Sequence, residues 1–264
     1  MAYTSLKAAL AACGCVALSA CGASEGGSGG SVIAGDLLLT AVQSESGGVG
    51  TLNFSVQNVT DATNVTIEAV SGLSTAYEEL DLTTISYTTE DGDFRGYAVS
   101  GTPNTTLPNA GALVAPTASY EGDTVLSAFD LSGGAPVEIL MRGDSLTEVD
   151  FQANLVDVTL DNFTSTDTAG GAVANPFTIL EFLDLGIDEN SASFDGQGGL
   201  STGGANADAF VNGGDGSTVE GVTSGRFYGT DATGYPAEVG MSFALTGDAG
   251  AIIGVMGGDL VIVP

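Results

Sequence analysis

An all-β fold is predicted by three observations. Apolar and polar residues alternate with a period of two in several segments. Glycine-rich turn signals recur at gaps of about 8 to 14 residues. No segment carries the long three-and-four spacing of an amphipathic helix. The alternation is of the kind that leaves one face of an antiparallel sheet on a core and the other in water.

The elements follow in order along the chain. Residues 56–69 are rich in valine and threonine with a two-residue rhythm. Val149, Phe151 and Ala153 alternate with polar partners, and then Val156, Val158 and Leu160 do so on the even positions. A change of parity sends side chains to the opposite face, so a bulge or a turn is expected between Ala153 and Val156. Ala192 and Phe194 continue the alternation, and residues 239–245 place large apolar residues between small ones. The apolar stretch 177–185 fits either a buried strand or a short helix. Thr102-Pro103, Leu107-Pro108 and Ala115-Pro116 interrupt any strand between 101 and 116, because proline lacks the N–H a ladder needs. This seam divides a β-rich handle sub-domain, residues 32–115, from residues 116–264, enough chain for an antiparallel eight-stranded β-barrel with a filled interior.

Composition excludes several kinds of chemistry. The chain of 264 residues holds 33 acidic side chains, four basic ones and no histidine, for a net charge of −29. Nothing here could neutralise nucleic-acid phosphates, so no nucleic-acid partner is expected. Histidine-based acid–base catalysis and histidine metal ligation are absent. No Ser-His-Asp or Cys-His set can be drawn. Carboxylate pairs stay formally possible, yet among 33 acids none stands out. Asp91-Gly92-Asp93 and residues 212–216 put oxygen ligands in turns, but neither has the spacing of a calcium loop. The expectation is a chain without enzymatic activity, metal or cofactor. The acid excess also suggests a salty habitat, where like charges are screened within a few ångström.

The N-terminal residues give an address. Residues 1–20 hold one base, Lys7, and an apolar run from Ala8 to Leu18. That run is too short to span a bilayer and right for the core of a signal peptide. It ends in Leu18-Ser19-Ala20-Cys21, which resembles the lipobox of bacterial lipoproteins. The resemblance implies cleavage after residue 20 and a lipid anchor on Cys21. The glycine- and serine-rich segment 21–31 then reads as a flexible tether. Cleavage would leave three arginines, Arg95, Arg142 and Arg226, and neither lysine nor histidine.

Further motifs occur in a fixed order. They are Leu107-Pro108, Thr117-Ala118-Ser119-Tyr120-Glu121-Gly122, Val149-Asp150-Phe151, Gly225-Arg226-Phe227-Tyr228-Gly229, Ala237-Glu238-Val239-Gly240 and Ile253-Gly254-Val255-Met256-Gly257-Gly258. In content and order they resemble the β-barrel domain of transferrin-binding protein B and related bacterial surface lipoproteins. The resemblance implies a handle-plus-barrel fold on a membrane anchor; no transferrin-contact residue maps by motif. Phe227 and Tyr228 are neighbours in a strand and so face opposite sides, and one of them should fill the barrel.

The function expected from anchor, tether, handle and barrel is that of an outer-membrane lipoprotein. It would face the cell surface or the periplasm and bind a protein or small solute through its loops, with metal or iron acquisition as one setting. The alternative is a structural or adhesive envelope protein whose barrel is a rigid spacer. The candidate partner-binding residues are Tyr87, Phe94, Arg95 and Tyr97, because aromatic residues and arginine are enriched where binding energy concentrates. The same cluster also fits a hairpin turn with two packed tyrosines.

Overall fold

The computed structural model describes residues 37–45, 52–57, 63–89, 92–104, 107, 113, 115–133, 136–189, 191–197, 207–213 and 220–262. The expected signal segment, Cys21 and the tether lie outside the described residues.

Five strands form the handle: β1 (Leu37–Glu45), β2 (Leu52–Gln57), β3 (Thr63–Ala69), β4 (Leu80–Thr89) and β5 (Gly92–Gly101). They pair antiparallel in the order β2-β1-β5-β4-β3.

The remaining strands are β6 (Thr117–Asp130), β7 (Val137–Asp150), β8 (Leu155–Asp167), β9 (Ala172–Val173), β10 (Leu180–Asp188), β11 (Ser193–Gln197), β12 (Glu220–Tyr228), β13 (Glu238–Thr246) and β14 (Gly250–Ile262). Consecutive strands pair antiparallel, except that the two-residue β9 pairs only with β8; β8 also pairs with β10, and β14 returns to pair with β6. The result is an all-β molecule in which a handle is followed by a closed, antiparallel, eight-stranded barrel. Closure leaves the barrel without the unpaired edges that invite aggregation. The change of parity near residue 154 is a four-residue turn joining β7 to β8, with Asn154 at φ 58°. The ambiguous stretch 177–185 resolves into a loop that buries Phe177, followed by strand β10.

Aromatic and aliphatic side chains fill the barrel interior. Phe227 is fully buried and sits among Phe194 (5.4 Å between ring centres), Phe151 (5.9 Å) and Tyr120 (6.4 Å). Phe182 and Phe243 meet at 5.1 Å further along. The short helix α1 (Ala207–Asn212) adds Ala207, Val211 and Phe210 to the same core. Gly225 has its place because of this filling: a methyl group there would lie 2.1 Å from the Phe194 ring.

Period-two geometry gives the same strands a second, outward apolar set. Val125 and Phe129 of β6, Tyr228 of β12, Ala244 of β13, and Ala251, Ile253 and Val255 of β14 pack against Val70, Leu80, Leu82, Tyr97 and Val99 of the handle. Phe227 therefore fills the barrel, whereas Tyr228 is buried between barrel and handle. The described residues of the seam are also tied down. Pro103 forms a bridge with Tyr228, the Asn104 N–H donates to Phe227 O at 2.8 Å, and the Tyr235 hydroxyl both donates to Ala115 O and accepts its N–H.

Candidate functional site

Two barrel carboxylates hold the handle segment that leads into β4. Glu238, 2 % exposed, accepts three successive N–H groups, from Glu78 (2.6 Å), Glu79 (3.1 Å) and Leu80 (2.8 Å). Asp123, 7 % exposed, accepts the Ser74 N–H and hydroxyl and the Thr75 N–H, each at 2.8 Å. Between them the Tyr77 hydroxyl donates to Gly257 O and accepts the Asp123 N–H, both at 2.9 Å. Burial works to raise the Asp123 pKa, but the donors from Ser74 and Thr75 outweigh it and hold the carboxyl below its usual range. For Glu238 the balance reverses: burial outweighs its three N–H donors, Asp259 adds repulsion, and the pKa lies above normal. Burial likewise drives the Tyr77 phenol well upward. These contacts seat the handle on the barrel in one orientation.

Beside this seat a cleft opens between handle strands β3–β5 and barrel strands β6–β8, with Ile253 of β14 at one end. It has two adjoining lobes of about 290 and 390 Å³, which share Glu68, Thr84, Tyr97 and Leu140. The smaller lobe contains Arg95, Ser127 and Glu138; the larger contains Arg142, Thr164 and Thr166.

A hydrogen-bonded chain crosses the smaller lobe. The Arg95 Nη2 donates to Glu138 Oε2 at 2.7 Å, and the Ser127 hydroxyl donates to Glu138 Oε1 at 2.8 Å. Tyr97 lies 2.9 Å from the same Ser127 oxygen; since the serine proton is committed to the carboxylate, the phenol is the donor. Burial pushes the Tyr97 pKa up to about 12, so it stays protonated and keeps donating. Arg95 is thereby aimed by a barrel residue, although it belongs to the handle. In the larger lobe Arg142 Nη1 donates to the carbonyl of Ser71. Among the described residues Arg142 has no carboxylate within ion-pair distance.

The structure divides the four candidate binding residues between two faces of one hairpin. Tyr87 and Phe94 are opposite each other in register and stack at 5.0 Å on the face that carries Ile85 and Ala98. Tyr87 is buried and Phe94 is half-buried. Arg95 and Tyr97 lie on the opposite, barrel-facing side. The four stand on β4 and β5, not on loops. Arg142, Glu138 and Ser127 join the site from the barrel without any local sequence signal. The one available hint was scarcity, since Arg142 is among only four basic residues. Of the two acidic turns, Asp91 and residues 214–216 lie outside the described residues, and no group of three or more acids within metal-binding reach occurs among the described ones.

No protein-family model and no curated protein sequence matches the chain. Among solved structures, the chain is similar to a double mutant of transferrin binding protein B from Haemophilus parasuis Hp5, at 14 % identity, covering 86 % of this chain and 45 % of that one, with a TM-score of 0.48. Isotype 1 transferrin binding protein B from serogroup B Neisseria meningitidis gives 17 % identity, 75 % and 35 % coverage and a TM-score of 0.40. The haemoglobin receptor HpuA from Kingella denitrificans gives 15 % identity, 70 % and 56 % coverage and a TM-score of 0.36. The chain thus spans less than half of either transferrin binding protein B structure. The handle-plus-barrel arrangement derived above from strand pairing is similar, at low sequence identity, to the fold of transferrin binding protein B and HpuA.

Proposed function

We propose that the chain is an outer-membrane lipoprotein, moored through an acylated Cys21, that binds a protein or small solute without chemical turnover. In this reading residues 1–20 are removed, 21–31 form the tether, 32–115 the handle and 116–264 the barrel. The observation that carries it is the cleft between handle and barrel. Aromatic and aliphatic side chains pack the barrel interior, which directs this reading to the outer surface. There the cleft combines an apolar floor with a few fixed polar groups, the usual make-up of a ligand pocket. Arg95 and Tyr97 belong to that site; Tyr87 and Phe94 support it from behind by stiffening the hairpin.

Two measurements test the reading. Cys21→Ser should move the protein from the membrane fraction to the soluble fraction, and continued membrane retention would overturn the anchor. Thr84 lines both lobes, so Thr84→Trp should block the cleft while preserving the fold. A solute screen in native salt should find compounds that raise the melting temperature of the wild type but not of Thr84→Trp. Equal responses in both proteins would remove the cleft from the account. The filled barrel also suits a rigid spacer. A deletion strain with defective envelope assembly, and no solute response at the cleft, would favour that role.

A further inference from the structure

Resting on the binding reading above, we propose that the larger lobe of the cleft takes a small organic acid, with Arg142 receiving its carboxylate and the apolar wall receiving its body. The argument begins with scarcity. Acidic side chains are so numerous here that meeting one in any pocket says little, whereas arginines number three in the entire chain. Two of the three line this one cleft, one contributed by the handle and one by the barrel.

The two are not equivalent. The charge of Arg95 is matched by Glu138, as described. Arg142 is fixed by the Ser71 carbonyl, a neutral acceptor that orients the guanidinium without cancelling its charge. A planar guanidinium with N–H groups to spare recognises carboxylate oxygens in a two-pronged fashion. Thr164 and Thr166 bring hydroxyl groups to the same lobe, and Val70, Val125, Leu140 and the Tyr97 ring supply apolar wall. At about 390 Å³ the lobe suits a molecule of modest size. Glu68 borders both lobes and works against an anion; it therefore provides a sign test.

The experiment uses the full chain purified from membranes and benzoate as probe, followed by titration calorimetry. Benzamide, benzylamine and inorganic phosphate serve as the neutral, cationic and bare-anion comparators. Benzoate should bind at least about ten-fold more tightly than any of the three. Arg142→Gln should weaken benzoate by about ten-fold or more, with Arg142→Lys intermediate because it keeps the charge but loses the fork. Glu68→Gln, which leaves Arg142 and its Ser71 contact in place, should tighten benzoate several-fold. Benzamide binding as well as benzoate, no change in Arg142→Gln, or weaker benzoate in Glu68→Gln would each overturn the proposal. Phosphate binding as tightly as benzoate would overturn the apolar-body half of it. If benzoate fails while another solute still distinguishes wild type from Thr84→Trp, the binding reading stands and the organic-acid class falls. If no solute distinguishes them, both fall.

Discussion

Tyr77 shows how a single side chain can govern the seating of one sub-domain on another. Its hydroxyl donates to a β14 carbonyl and accepts a β6 N–H; removing the oxygen leaves the Asp123 N–H without its acceptor, while Gly257 O keeps the Ser145 hydroxyl at 2.6 Å. Tyr77→Phe should cost about 1–3 kcal/mol in a denaturant titration, more than an exposed tyrosine would. Asp123 and Glu238 do similar work with opposite pH signatures. The Asp123 pKa is depressed on folding, so its stabilisation is present above the ordinary carboxylate range and is lost as pH falls through the depressed value. The Glu238 pKa is raised above 4.5, so the folded state binds its proton more readily and gains stability as pH falls through that raised value. Melting curves from pH 7 to pH 3 should therefore show wild type gaining on Glu238→Gln on the way down, then losing ground to Asp123→Asn at the acid end. Parallel curves for all three proteins would refute this assignment.

At the scale of strands, the barrel follows from alternation. Val149, Phe151, Val156, Val158 and Leu160 announce one buried face, and the parity change between them marks the β7–β8 turn. The opposite placement of Phe227 and Tyr228 follows from the same geometry. The seat of the handle was not legible. Glu238 meets its three donors across 158 to 160 residues of sequence, and nothing separates it from 32 other acids until the fold brings those N–H groups to it. The cleft was half legible: aromatic and cationic composition picked out the β4–β5 hairpin, but only the strand register shows that two of the four residues face the barrel and two face away. Packing inside the barrel leaves little tolerance. Gly225→Ala would press on the Phe194 ring and should cost about 1–3 kcal/mol through overpacking. Phe227→Ala should cost about 3–5 kcal/mol through the cavity it leaves. Chemical denaturation of both variants checks these values; losses near zero would mean that the interior is looser than its ring contacts imply.

For the molecule as a whole, a net charge of −29 on 264 residues makes ionic strength part of its stability. The screening length falls from about 10 Å at 0.1 M salt to about 3 Å at 1 M, which removes most repulsion between surface carboxylates while sparing the buried contacts of Asp123 and Glu238. The melting temperature should rise over that interval in sodium chloride. A flat or falling response would show that self-repulsion is not what limits the fold.

The outward greasy stripe on β6, β12, β13 and β14 bears on whether the molecule can be divided. Excised at the proline seam, residues 116–264 would keep their ring of strands but lay bare Val125, Phe129, Tyr228, Ile253 and Val255 as one contiguous sticky surface. Such a fragment is expected to self-associate, and to become monomeric again when the missing N-terminal piece is supplied separately. The handle thus acts as a cover for the outer stripe, which a barrel expressed by itself would have to bury in some other way.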